Sequence, residues 1–252
     1  MASFTVSALQ VNFESVLSMD NAGMVKMFKS LEESGFRGFL VSGSVFEGAL
    51  TELFANTSII AGTIVSIVAK RRMVITKDVL RSVSSSNRRI VSFLGLPAKT
   101  VADMKVFFSA IDVPFRPLSK KKDMKVEYRL LHDIVAKSLS AKAGSFDVVT
   151  TEKFEMMVVI SAGMKIDWGH ILFQTLVAIV YMSGKQSQGY AVQLSLLLEK
   201  LVKTDLGESV ALNPLKVLNY KSVLTYMKKN QAAPQDGETS KISSETLFPQ
   251  LL

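Results

Sequence analysis

The chain has no cysteine and only two histidines among its 252 residues. The first absence removes disulfides, thiolate metal sites and cysteine nucleophiles together, and it suits a reducing, intracellular compartment. The histidines, His132 and His170, are too few and too far apart for most histidine-built metal sites. The fourteen glycines never fall into Gly-x-Gly-x-x-Gly or a Gly-Lys-Ser/Thr loop, so no phosphate cradle is expected. The Gly-x-Ser-x-Gly elbow of serine hydrolases is missing as well. Asp236-Gly237 lacks the hydroxyl residue of an aspartic-protease signature. Long apolar runs are also scarce. The most apolar window, Ile171 to Met182, contains Gln174 and Thr175 and falls short of the roughly 20 residues a spanning helix needs. It reads as a buried helix. Met1 to Gln10 has no basic region followed by an apolar block, so no secretory signal is expected. Together these absences predict no catalytic centre, no metal, no cofactor, no small-molecule substrate and no membrane insertion.

What is present is a sizeable core and positive charge. Hydrophobic residues make up 48% of the chain, which argues against extensive disorder. Lysine and arginine outnumber acidic residues 30 to 22, a formal +8. The excess is local. One run holds Lys70, Arg71, Arg72, Lys77, Arg81, Arg88 and Arg89 against Asp78. A second spans Arg116 to Lys142 and includes Lys120, Lys121 and Lys122. Such faces attract polyanions in a salt-dependent, sequence-independent way. Lys70, Arg71, Arg72, Arg88, Arg89, Lys120, Lys121 and Lys122 are therefore candidate polyanion-binding residues. No aromatic side chains interleave with them to stack bases.

Helical periodicity dominates the chain. Phe13, Val16 and Leu17 fit a short turn, and Asp20 can cap a helix to Ser34 bearing Met24, Met27, Phe28 and Leu31. Ser44 with Glu47 forms a capping-box pattern ahead of Ala49, Leu50, Leu53 and Phe54. Between Ile59 and Thr76, β-branched runs flank Lys70-Arg71-Arg72 and predict a hairpin, although no Asn-Gly marks its turn. A helix capped by Thr76 and a serine-rich loop at Ser82–Arg89 follow, and Thr100 can cap a helix to Ala110. Pro114, Pro117 and the lysines after them interrupt the pattern. Beyond lie helices near Val126–Ser140, Thr151–Ala162, Trp168–Ser183, Ala191–Thr204 and Pro214–Asn230. The expected architecture is mostly α, a multi-helix globular domain with one small β-hairpin in the N-terminal half. Residues 1–117 would form an N-terminal helical part and 118–230 a helical bundle packed with it, with 231–252 a disordered tail.

Two clusters could carry acid–base chemistry. Asp167 lies three residues before His170, a spacing that could orient an imidazole. The competing reading makes Asp167 the N-cap of the helix starting at Trp168, worth about 1 kcal/mol. His132-Asp133 is the other, but neighbours on a helix point in different directions. The Met-rich faces at Met24-Met27 and Met156-Met157 read as core.

The order of features carries a resemblance. Met19-Asp20-Asn21-Ala22-Gly23-Met24 with the stretch from Phe28 to Phe39 precedes a helix ending Leu53-Phe54-Ala55-Asn56. The Val65–Thr76 hairpin then leads into Lys77-Asp78-Val79-Leu80. Later, Gly163-Met164-Lys165-Ile166-Asp167-Trp168-Gly169-His170-Ile171 opens a long apolar helix. Over roughly Phe13 to Asn219 this resembles the plant transposon-protein domain family, found in retrotransposon-derived open reading frames. The resemblance implies a mobile-element origin and brings no active site. A zinc knuckle is excluded by the missing cysteines. A structural, gag-like part that self-associates or binds nucleic acid weakly is the expectation. The alternative is a protein-interaction module whose charge serves solubility.

Overall fold

A computed structural model describes residues 9–40, 44–83, 96–139, 146–164, 166–181, 191–203, 205–211 and 216–231. The fold is mostly α-helical, with a few short strands. The chain enters through β1 (Leu9–Val11), α1 (Phe13–Leu17) and α2 (Ala22–Glu33). Next come β2 (Ser44–Val45), α3 (Glu47–Ala55), β3 (Ser58–Ile60), β4 (Thr63–Val68), β5 (Arg71–Ile75) and α4 (Lys77–Val83). Helices α5 (Ala98–Phe108), α6 (Val126–Leu139), α7 (Thr151–Ser161), α8 (Trp168–Tyr181) and α9 (Ala191–Val202) follow. The chain closes with β6 (Val210–Ala211), β7 (Lys216–Leu218) and α10 (Tyr220–Gln231).

Two hydrophobic cores form. The first gathers Phe13, Met24, Phe28, Leu31, Phe108, Leu131, Ile134, Phe154, Met157 and Val223 from α1, α2, α5, α6, α7 and α10. The second gathers Val45, Leu50, Leu53, Ile64, Val68, Ile75, Leu80, Leu172, Leu176, Leu197 and Leu198 from β2, α3, β4, β5, α4, α8 and α9. Each core draws on residues before and after the Pro114–Pro117 interruption. Helix α8 serves both, giving Trp168 and Ile171 to the first and Leu172, Phe173 and Leu176 to the second. The first part of its apolar run, Ile171, Leu172, Phe173 and Leu176, is buried, as read from the sequence. The methionines Met24, Met27, Met156 and Met157 are buried core residues.

Several local expectations are corrected. The cap of α2 is Asn21, one residue after Asp20; its side chain accepts from the Met24 N–H at 2.9 Å. Ser44 is no cap, because it lies in β2 and pairs antiparallel with Ala211, so α3 starts at Glu47 behind Phe46. Helix α5 begins at Ala98 after Pro97, whose fixed φ of −58° suits a helix entry, and Thr100 lies inside it. Of the segment expected as one helix, Pro214–Asn230, the described part begins as β7, which pairs parallel with β1 before Asn219 caps α10 through the Ser222 N–H at 2.9 Å. The sheet has three strands in the order β3-β4-β5, not a lone hairpin. Thr76 caps α4 as expected, accepting from the Val79 N–H at 3.3 Å. The serine-rich loop beyond Val83 and the tail from residue 232 lie outside the described residues.

Candidate interaction surface

The two acid–base candidates are structural joints. Asp167 is 3% exposed. One carboxylate oxygen accepts from the backbone N–H of His170 at 3.0 Å, the N-cap bond of α8. The other accepts from Arg81 Nε at 2.6 Å, and Arg81 also donates to Asp78 at 2.9 Å. The hydrogen bond and charge of Asp167 raise the Arg81 guanidinium pKa further. Trp168 and Gly169 of the motif are also committed. Trp168 donates through Nε1 to the Ser34 carbonyl at 2.7 Å, and its ring meets Phe36 edge-on with centroids 5.1 Å apart. Gly169 lets α8 cross α4, since a Cβ there would stand 2.5 Å from Arg81 N and 2.8 Å from Leu80 C.

His132 is fully buried, and its Nδ1 lies 3.9 Å from an Asp133 oxygen, beyond hydrogen-bonding distance. Among the described residues neither ring nitrogen has a hydrogen-bond partner. Asp133 turns to other groups: Lys121 Nζ at 2.6 Å and the Tyr226 hydroxyl at 3.2 Å. Burial pushes the Asp133 carboxyl up, but the hydrogen bond and charge of Lys121, with the charge of Lys137, outweigh burial and hold it below its ordinary range. Burial and the Asp133 charge push the Tyr226 phenol up. Lys121, Asp133 and Tyr226 thus staple a loop to α6 and α10. Among the described residues, no three histidine or acidic side chains are grouped to hold a metal ion.

The polyanion candidates separate on the structure. Of these, Lys121 pairs with Asp133 at 2.6 Å and sits 3.9 Å from Asp147. Its neighbours Lys120 and Lys122 are exposed beside the first core. Arg129, from the same run, donates to the Met124 carbonyl at 2.6 Å and the Asn230 carbonyl at 3.3 Å. Lys70, Arg71 and Arg72 are exposed at the tip of the β4–β5 hairpin, which packs on the second core. They form no ion pair with any described residue. Arg88 and Arg89 lie outside the described residues.

The tip is held tightly. Val68 pairs with Arg71, so Ala69 and Lys70 form the two-residue turn, with φ of 48° and 62°. Both values belong to a type I′ turn, which glycine or asparagine normally occupies. Glu52 of α3 anchors it by accepting from the Ala69 N–H at 2.7 Å.

Sequence reasoning missed the outward face of this sheet. Ile64, Val68, Met73 and Ile75 point into the second core, while Ile60, Ile67 and Val74 stay 56%, 50% and 49% exposed. The register puts Ile67 opposite Arg72 and Val65 opposite Val74, making one aliphatic face with a cation in it. The signal was available. Thr63-Ile64-Val65-Ser66-Ile67-Val68 carries aliphatic residues at alternate positions of both parities, so one set must face outward.

No protein-family model, curated protein or solved structure matches the chain. Among the described residues, no helix is long and apolar enough to cross a membrane.

Proposed function

We propose that this chain is a non-enzymatic binding domain that holds a protein partner on the outward face and tip of the β3–β5 sheet. The observation that carries the reading is the pairing of exposed aliphatic residues Ile60, Ile67 and Val74 with three exposed cations, Lys70, Arg71 and Arg72, that form no ion pair with a described residue. Exposed apolar residues grouped on one face mark an interaction surface. A surface devoted to phosphates would be more polar and would not expose aliphatics at its centre. The motif order from Phe13 to Asn219 supports a mobile-element origin, with a structural role of the gag-like kind. The lack of cysteine favours a reducing, intracellular compartment.

A second reading, weak nucleic-acid binding at the same tip, is favoured by the free cations themselves. Self-association through this face is disfavoured, because two copies would bring like charges together.

Fluorescence anisotropy with labelled polyglutamate and a labelled 20-base-pair duplex, from about 50 to 200 mM salt, separates the two readings. The protein reading expects polyglutamate to bind at least as tightly as the duplex, and the combined change Lys70→Ala, Arg71→Ala, Arg72→Ala to abolish binding. Tight duplex binding that polyglutamate fails to displace would hand the surface to nucleic acid.

A further inference from the structure

We propose that β5 is a receiving edge: an extended acidic segment of a partner protein joins the β3–β4–β5 sheet there as a fourth strand. This rests on the protein-binding reading above and specifies its partner.

The backbone supplies the first argument. With Ala69-Lys70 as a two-residue turn, Val68 and Arg71 are the closing pair of the hairpin. Bonded and non-bonded pairs alternate from there. Ser66 with Met73 and Ile64 with Ile75 therefore exchange bonds inside the hairpin, while Arg72 and Val74 turn their N–H and C=O groups outward. The opposite strand obeys the same rule. Ile67 directs its carbonyl away from β5, where Asn56 Nδ2 donates to it at 2.9 Å, and β3 takes the outward groups of Thr63 and Val65. Strand β5 ends the sheet, and among the described residues nothing bonds the backbone of Arg72 or Val74. An open edge of this kind is a ready template for another extended chain.

The side chains supply the second argument. Arg72 and Val74 share the outward face, and Lys70 and Arg71 stand at its tip. A second copy pairing here would set arginine near arginine, which is unfavourable. A segment with an acidic and an aliphatic residue two positions apart, and so on one face, instead meets Arg72 with a carboxylate and Val74 with a methyl group. Nucleic acid gains little from the edge. It has no peptide ladder to complete, and no aromatic ring stands on β4 or β5 to stack a base.

Amide hydrogen exchange on the whole chain tests the proposal, with the capped heptapeptide Glu-Thr-Val-Thr-Glu-Thr-Val, whose glutamates and valines alternate along one face, as probe. Exchange at the Arg72 and Val74 amides is expected to slow about tenfold or more at saturation. The same peptide N-methylated at alternate residues, which cannot complete a ladder, is expected to bind about tenfold more weakly. Arg72→Glu is expected to lose the acidic peptide and accept a lysine–valine counterpart. Peptide binding that leaves both amides exchanging at the free rate overturns the edge-strand inference while the protein-binding surface stands. If neither the peptide nor polyglutamate binds at millimolar concentration, both readings fall, and the cations serve only to keep the edge from pairing.

Discussion

His132 carries two ring nitrogens into the first core and satisfies neither. An orphaned buried polar group costs on the order of 1–3 kcal/mol. His132→Leu should therefore stabilise the fold by about 1 kcal/mol, read as a higher denaturant midpoint with an unchanged slope. A loss of stability would mean that the imidazole is bonded in solution. Gly169 sets the opposite expectation. A methyl group there meets the backbone of α4, so Gly169→Ala should cost about 1–3 kcal/mol by equilibrium unfolding. Lys121 and Asp133 carry the pH dependence. The carboxyl is held below its ordinary range in the fold, so its contribution is present above its unfolded value, about 4, and lost as pH falls below that. Lys121→Met should destabilise by about 1–3 kcal/mol at neutral pH, with the gap to wild type shrinking below about pH 4. At this scale the sequence showed which residues matter better than what they do. Asp167-Trp168-Gly169-His170 stood out as possible chemistry, yet each residue but His170 is used to join α8 to α4 and to the chain around Ser34. Only the Asp167 cap was readable locally, because its partner lies three residues away.

The β4–β5 hairpin shows what an element reveals before its structure is known. Its two β-branched runs announced the strands, because such side chains pack well on a pleated surface. Its turn could not be read, since Ala69 and Lys70 adopt a left-handed geometry their side chains disfavour. Replacing them with the preferred pair, Ala69→Asn with Lys70→Gly, should stabilise the fold by about 1 kcal/mol, seen as a higher thermal midpoint. The same change removes a tip cation, so polyglutamate affinity should fall as stability rises. The paired strands β1 with β7 and β2 with β6 were illegible for another reason. Each is two or three residues long and its partner lies far along the chain, so neither periodicity nor turn chemistry marks it. That same remote pairing removed Ser44 from the cap expected of it.

For the whole molecule, charge and burial divide the labour. The first core takes Lys121 and Arg129 inward as structural ties, Lys121 to the Asp133 carboxylate and Arg129 to two backbone carbonyls. Beside the second core, Lys70, Arg71 and Arg72 form no ion pair among the described residues and adjoin aliphatic side chains the core does not cover. Composition alone gave both basic runs equal standing. Only the fold separates a committed lysine from a free one, because the deciding partner, Asp133, lies on a different element. The mostly helical architecture was legible from periodicity, whereas the interleaving of two cores through α8 was not, because it depends on contacts between distant parts of the chain. The most direct test of the binding account is an amide chemical-shift map of the isotope-labelled protein with polyglutamate at low salt. The account predicts perturbations clustered between residues 58 and 75, and little change around Lys120–Lys122 or Asp167. A map centred on either of those places, or no perturbation anywhere, would contradict it.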